Sequence, residues 1–210
     1  MALTVWVAPH PLLELGAFVS RFAQPLGELV GPAPGAAAPM TADDAVRSEI
    51  RRLLRHGGFK PAGRNKPAPE YLVAAHAEGR FPRINAAVDA CNVVSLASGL
   101  PISLVDVDKV IGNLAVRICA PATTYVFNPS GQVIDASGLV ALFDAEGPTG
   151  TPVKDAQRTK THDGTRTTLS IVWGTRELPG RTAETVAWYR DLVAAIPGTV
   201  VEDVELDQRE

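Results

Sequence analysis

Between Ile84 and Ser95 the chain reads INAAVDACNVVS. Every residue there other than Asn85, Asp89 and Asn92 is Ala, Val, Ile, Cys or Ser. At 3.6 residues per turn the three polar side chains project within an arc of about 60°. A helix that is apolar around the rest of its circumference belongs in an interior. There, two amides and a carboxylate need internal partners or a polar cavity to face. The pattern predicts a buried helix over 84–98, ended by Gly99 in the left-handed position after the last turn. Asp89 stands between Val88 and Cys91 in the densest apolar stretch, and a scaffolding role is expected for it.

The flanking pattern predicts several more elements. Residues 3–8 read as a strand and Leu12 to Arg21 as a helix. The uncharged Pro/Gly/Ala run 31–40 reads as a connector. A helix capped by Thr41 runs through Ile50, Leu53 and Leu54 to Gly57-Gly58, with Arg47, Arg51, Arg52 and Arg55 on a solvated face. Pro67 opens a further helix over 68–78. Short strands follow at 101–107, 113–119, 123–127, 132–135 and 139–143, then a polar loop at 145–166 and a strand at 167–173. Thr182 to Ile196 reads as a helix, with Val186, Tyr189, Leu192, Val193 and Ile196 on one face, and 199–206 as a last strand. Helices early, strands in the middle and a helix late give the α+β class, with mixed or antiparallel sheets and packed helices. At 210 residues and 46% apolar composition a single domain can fill its core.

A net charge of −3 excludes a general polyanion-coating protein. Cys91 and Cys119 read as small buried hydrophobes, and no CxxC or His/Cys cluster indicates a metal. Neither a metal nor any other cofactor is expected. No run of 18 apolar residues predicts a membrane span, and no basic-then-apolar leader is visible. A cytoplasmic protein is expected. Nucleophile elbows, phosphate-binding glycine loops and zinc-protease motifs are absent from the sequence.

Three polar constellations remain. The first is Asn85, Asp89 and Asn92, with Ser95 nearby. The second is Asp106-Val107-Asp108-Lys109, with Arg117 on the following strand. The third is Arg158-Thr159-Lys160, surrounded by Asp155, Asp163 and Thr165. His162 is a reserve base or ligand, and the loop holding Lys60, Arg64 and Lys66 is basic.

The stretch 79–118 closely resembles the B3/B4 domain of the bacterial phenylalanyl-tRNA synthetase beta chain. The resemblance is carried in order by Pro82, Ile84, Asn85, Val88, Asp89, Asn92, Val94, Leu96, Gly99, Pro101, Asp106, Asp108, Lys109, Gly112, Val116 and Arg117. A weaker likeness to freestanding members of that family continues through Asp155, Thr159 and Thr165 into TTLSIVWG. Together they cover roughly 45–196, with the first 40 residues as an extension of a single domain spanning 1–210. The fold so implied is the PheT/TilS-like B3/B4 type.

In the synthetase this domain is the editing site, which hydrolyses the ester of mischarged tRNA. The resemblance therefore implies a trans-editing deacylase with aminoacyl-tRNA as its partner and no membrane role. A second hydrolytic sieve is needed where a synthetic site cannot reject a near-isostere. Asn85, Asn92 and Asp106 are the implied catalytic residues, positioning water and substrate. Ser103, Arg158, Thr159, Lys160 and Arg64 are the implied substrate contacts. Two departures remove tyrosine from the expectation. Ser103 stands where the synthetase motif has His, and Leu169 to Trp173 carries no acid. A non-catalytic RNA-binding module and an amino-acid-binding protein are the alternative readings.

Overall fold

The strand TTLSIVWGT, Thr167–Thr175, is buried at all nine positions. A strand this rich in β-branched and apolar residues suits a sheet centre covered on both faces. In the computed structural model, which describes residues 3–35 and 37–208, it is an inner strand, next to one edge of the sheet and paired on both sides. The strands are β1 (Leu3–Val7), β2 (Leu13–Phe22), β3 (Ile102–Asp106), β4 (Leu114–Ile118), β5 (Thr124–Val126), β6 (Val133–Asp135), β7 (Val140–Asp144), β8 (Gly147–Gly150), β9 (Thr167–Thr175) and β10 (Thr199–Asp207). The helices are α1 (Asp44–Arg55), α2 (Ala68–Ala77), α3 (Ala86–Ser98) and α4 (Arg181–Ala194). Eight strands form one sheet in the order β3-β9-β2-β10-β1-β4-β7-β8, and β5 and β6 form a separate hairpin. The β1 pairings to β10 and β4 are parallel, and the other pairings are antiparallel. The chain is thus α+β with a large mixed sheet and packed helices.

The segment expected as a helix at Leu12–Arg21 is strand β2. Buried Leu13 and Leu15 alternate with half-buried Glu14 and Gly16, a period of two. Beyond them Phe18, Val19 and Ser20 are all buried, with Phe18 covered by Tyr189 of α4, while β9 and β10 pair along the two edges. Two-sided burial hides the period, and tertiary pairing decides the conformation. The expected loop 145–166 likewise contains β8, joined to β7 with a register shift at Leu142/Phe143. The cap of α1 is Asp43 rather than Thr41: its carboxylate accepts from the Val46 N–H at 2.8 Å.

Helices α3 and α4 pack together, α3 against β3 and α4 against β2, β9 and β10. Phe18 of β2 meets Tyr189 of α4 edge-to-face at 4.8 Å. Gly99 ends α3 at φ 70, and an added Cβ would lie 2.9 Å from both Ala42 and Val46. Only glycine satisfies both the backbone and the space there. The sheet curls far enough for its first and last strands, β3 and β8, to meet. Ser103 Oγ of β3 donates to the Thr151 carbonyl just beyond β8 at 3.1 Å. That seam forms the floor of the site.

Candidate functional site

Helices α2 and α3, strand β3 and the turn after β8 enclose a cavity of about 480 Å³. Leu72, Ile84, Val88, Ile102, Leu104, Phe127 and Val153 make its apolar wall. Tyr71, Asn92, Thr151, Lys154, Asp155, Lys160 and Thr161 supply polar groups. A concave, mostly apolar space with a few convergent polar groups is the usual form of a small-molecule site.

Asp155 is the chemical centre of this cavity. Its Oδ1 accepts from the Thr151 N–H at 3.0 Å and its Oδ2 from the Leu104 N–H at 3.1 Å. One carboxylate thereby ties the β3 edge to the turn after β8. Thr151 Oγ1 accepts from the Lys154 N–H at 3.0 Å and shapes that turn. Gly150 has to be small, since a Cβ there would stand 2.9 Å from the Ser103 Cβ. Burial pushes the Asp155 carboxyl up to about 6, against the opposing effects of Ser103, the two N–H groups and Lys160.

Two lysines sit on the same wall. Lys160 Nζ donates to the Phe127 carbonyl at 2.6 Å and lies 3.9 Å above the Phe127 ring centroid. Lys154 Nζ is 4.9 Å from that ring and 5.8 Å from Tyr71. Burial lowers the pKa of both amines, the Arg64 charge adds to the effect on Lys154, and Asp155 opposes it at Lys160. The Cys91 thiol on the wall is pushed up to about 12 by burial and is no nucleophile.

The B3/4 domain family model matches residues 60–176, more than half of the chain. The chain belongs to the B3/4 domain family. Among solved structures it is similar to an N-terminal fragment of the phenylalanyl-tRNA synthetase beta-subunit from Pyrococcus horikoshii. That alignment has 12% identity and a TM-score of 0.55, and covers 99% of this chain and 52% of the fragment. The likeness is one of fold, and this chain spans about half of the fragment's length. No curated protein matches it. The B3/4 match includes α2, α3, the cavity and β9, whereas β1, β2, α4 and β10 lie outside its bounds.

The residues expected at the site take different places in the structure. Asn92 and Lys160 line the cavity, and the Asn92 amide makes no hydrogen bond to any described residue. Asn85 caps α3, accepting from the Val88 N–H at 3.1 Å. Its amide donates to Thr161 Oγ1 at 3.4 Å, which fastens a cavity residue to the helix start. Arg64 stands in the Gly63–Asn65 turn, close enough to act electrostatically on Lys154.

The others are built into the frame. Asp106 is 1% exposed. It accepts from Thr165 Oγ1 at 2.7 Å and the Asp108 N–H at 3.1 Å, with His162 Nε2 at 3.4 Å and Lys109 Nζ at 3.9 Å. Lys109 Nζ in turn donates to the Lys160 carbonyl at 2.6 Å. Asp106 and His162 thus brace the loop that carries Lys160 and Thr161 without lining the cavity. Ser103 donates to Thr151 and accepts from the Trp173 indole N–H at 2.9 Å. Thr159 donates to the Thr149 carbonyl at 3.3 Å. Arg158 is held by Asp144 in a two-point pair and by the Gly147 carbonyl, so its fork faces protein. Asp89 takes the Ile84 N–H at 2.8 Å and the Arg83 guanidinium at 3.0 Å, as expected of scaffold.

In the sequence Asp155 stands only beside the third constellation, and nothing there marks Tyr71, Phe127 or Lys154 for the cavity. An acid between a lysine and a polar loop gives no signal that its turn folds against another strand.

Proposed function

We propose that this B3/4 domain is a trans-editing deacylase, hydrolysing the ester of mischarged tRNA in the Asp155 cavity. The observation that carries the reading is one apolar cavity with a carboxylate, a free amide and two lysines on its wall, within the residues that match the B3/4 family. The apolar wall suits an amino-acid side chain. The Asp155 carboxylate suits the substrate's α-ammonium as a charge-assisted acceptor. Lys154 and Lys160, with Arg64 nearby, suit the phosphates of the RNA end, and the Phe127 and Tyr71 rings suit its terminal base.

An aminoacyl ester is already activated, so the reaction needs a placed water rather than a protein nucleophile. Water oxygen adds to the ester carbonyl carbon, and the Asn92 amide donates toward the oxygen on which charge develops. The bond from that carbon to the ribose oxygen then breaks. The water proton ends on the ribose hydroxyl, and free amino acid and uncharged tRNA leave. Asn85 acts through Thr161, and Asp106 through the 160–165 loop, as positioning residues. On this reading the protein works in the cytoplasm, residues 1–210 form one domain, and residues 1–40 extend it beyond the family core. No helix among the described residues is long and apolar enough to cross a membrane.

A panel of tRNAs, each mischarged with a different amino acid, tests the proposal. Hydrolysis of at least one member, abolished by Asn92→Leu in a folded protein, is expected. Salt-sensitive binding of the panel without turnover would favour the RNA-binding alternative.

A further inference from the structure

We infer that the RNA partner is held by its 3′ end alone, on a strip of unpaired cations that runs from the 60–66 loop into the cavity. The protein then acts on the end of a mischarged tRNA without reading the tRNA body. This deepens the proposed function and rests on its RNA substrate. With a net charge of −3, the protein has little free positive charge for a polyanion. Most of its basic side chains are engaged internally. Arg51 pairs with Glu70, Arg158 with Asp144 and Arg190 with Asp203, while Arg176 and Arg181 donate to backbone carbonyls. Among the described residues, the lysines and arginines with neither a carboxylate nor a carbonyl partner are Arg55, Lys60, Arg64, Lys66, Arg117 and Lys154. Arg55 lies back at the end of α1, and Arg117 of β4 stacks on Phe143 at 3.8 Å. The others form the strip.

The loop from Lys60 to Lys66 contains no acid, and its three basic side chains are exposed. Phe59 and Pro61 are buried and Pro67 leads into α2, so the loop is anchored at both ends. Two bonds set it against the cavity mouth. The Ala68 N–H donates to the Pro152 carbonyl at 3.0 Å, and the Tyr71 hydroxyl donates to the Gly63 carbonyl at 3.4 Å. Tyr71 and Lys154 both line the cavity, with Lys154 Nζ 5.8 Å from the Tyr71 ring centroid. The loop's charge reaches that lysine, since Arg64 adds to burial in lowering the Lys154 pKa. A row of cations leading to exposed rings suits a single-stranded RNA end, with phosphates on the strip and a base against Tyr71 or Phe127. Fully extended, residues 60–66 span at most about 25 Å, the length of a few nucleotides. The strip is therefore matched to the end of a tRNA and is too short to follow its folded body.

Fluorescence anisotropy tests this with uncharged, 5′-labelled RNA between about 20 and 150 mM salt. A full-length tRNA is compared with a minihelix that keeps only its acceptor stem and unpaired 3′ end. Affinities equal within about threefold are expected, with slopes of log affinity against log salt near about −3 for both, from about four phosphate contacts on a single strand. Replacing Lys60, Arg64 and Lys66 together by Gln should make the slope shallower by about 2. Arg47→Gln, at an arginine already paired with Asp44 on α1, should leave it unchanged. Full-length tRNA bound about tenfold more tightly than the minihelix, or with a steeper slope, reveals a grip on the body and overturns the inference. So does a folded protein that binds neither RNA, or a triple variant with the wild-type slope. Because the RNA carries no amino acid, a protein that binds in this way yet hydrolyses no mischarged tRNA contradicts the deacylase reading and not this one.

Discussion

Asp155→Asn isolates the electrostatic state of the cavity. The wild-type carboxyl is raised from 3.8 to about 6, chiefly by burial. Between those values the folded protein binds a proton that the unfolded chain does not. Stability contributed at Asp155 is therefore greatest in acid, falls as pH rises through the window, and is flat above about 6. At about 1.4 kcal/mol per pH unit the full effect is about 3 kcal/mol, of which about 2 falls between about pH 4 and pH 7. Asparagine fits the same space but does not titrate. Its single carbonyl oxygen can accept from only one of the Thr151 and Leu104 N–H groups, which adds a pH-independent cost of about 1–3 kcal/mol. Urea unfolding of both proteins across this range, followed by tryptophan fluorescence, gives the difference between them. Wild type should lose about 2 kcal/mol relative to the variant on going from about pH 4 to pH 7. A difference that stays level, or changes in the opposite direction, refutes a desolvated carboxylate at the seam between β3 and β8.

Three further outcomes follow from neighbouring geometry. His10 is lowered to about 4 by burial, His56 and Arg176, and its Nδ1 accepts from the Leu12 and Leu13 N–H groups. The unfolded chain takes up that proton first, so stability at His10 falls as pH drops below about 6.5; His10→Asn, which keeps an acceptor, should flatten that loss in acid unfolding curves. Ser103→Ala strands the fully buried Trp173 indole N–H and should cost about 1–3 kcal/mol in urea unfolding, while the cavity wall keeps its charges. Replacing Lys154 and Lys160 together by Met should weaken tRNA binding and reduce the slope of log affinity against log salt by about 1–2.

Much of the frame was readable in the residues. The apolar helix with its Asn85 cap and Gly99 stop is present with those ends, and Asp89 is bonded to the Ile84 N–H and Arg83 as scaffold. The helix face of Tyr189 and Val193 packs inward. The misread strand β2 shows the limit of periodicity. Its alternation holds only from Leu13 to Gly16 and is lost at buried Phe18, Val19 and Ser20, and its partners β9 and β10 lie far along the chain. The lining of the candidate cavity is only partly marked in the sequence, for a related reason. Asn92 is marked by polarity on an apolar helix. Asp155 acquires its environment only when β3 and β8 meet, a contact between residues about 50 positions apart. Of the residues expected at the substrate, Ser103 bonds across the same seam, Thr159 bonds to the Thr149 carbonyl of β8, and Arg158 pairs with Asp144.

On the proposed function, one cavity both holds and hydrolyses a mischarged tRNA end. The most direct measurement is the single-turnover deacylation rate of the best substrate from the mischarged panel, compared between wild type, Asn92→Leu and Asp155→Asn at equal, saturating protein. The account predicts rapid release of the amino acid by wild type and a fall of at least about tenfold in each variant, with both variants still folded. Wild-type protein that releases no amino acid from any member, or variants that release it at the wild-type rate, would contradict it.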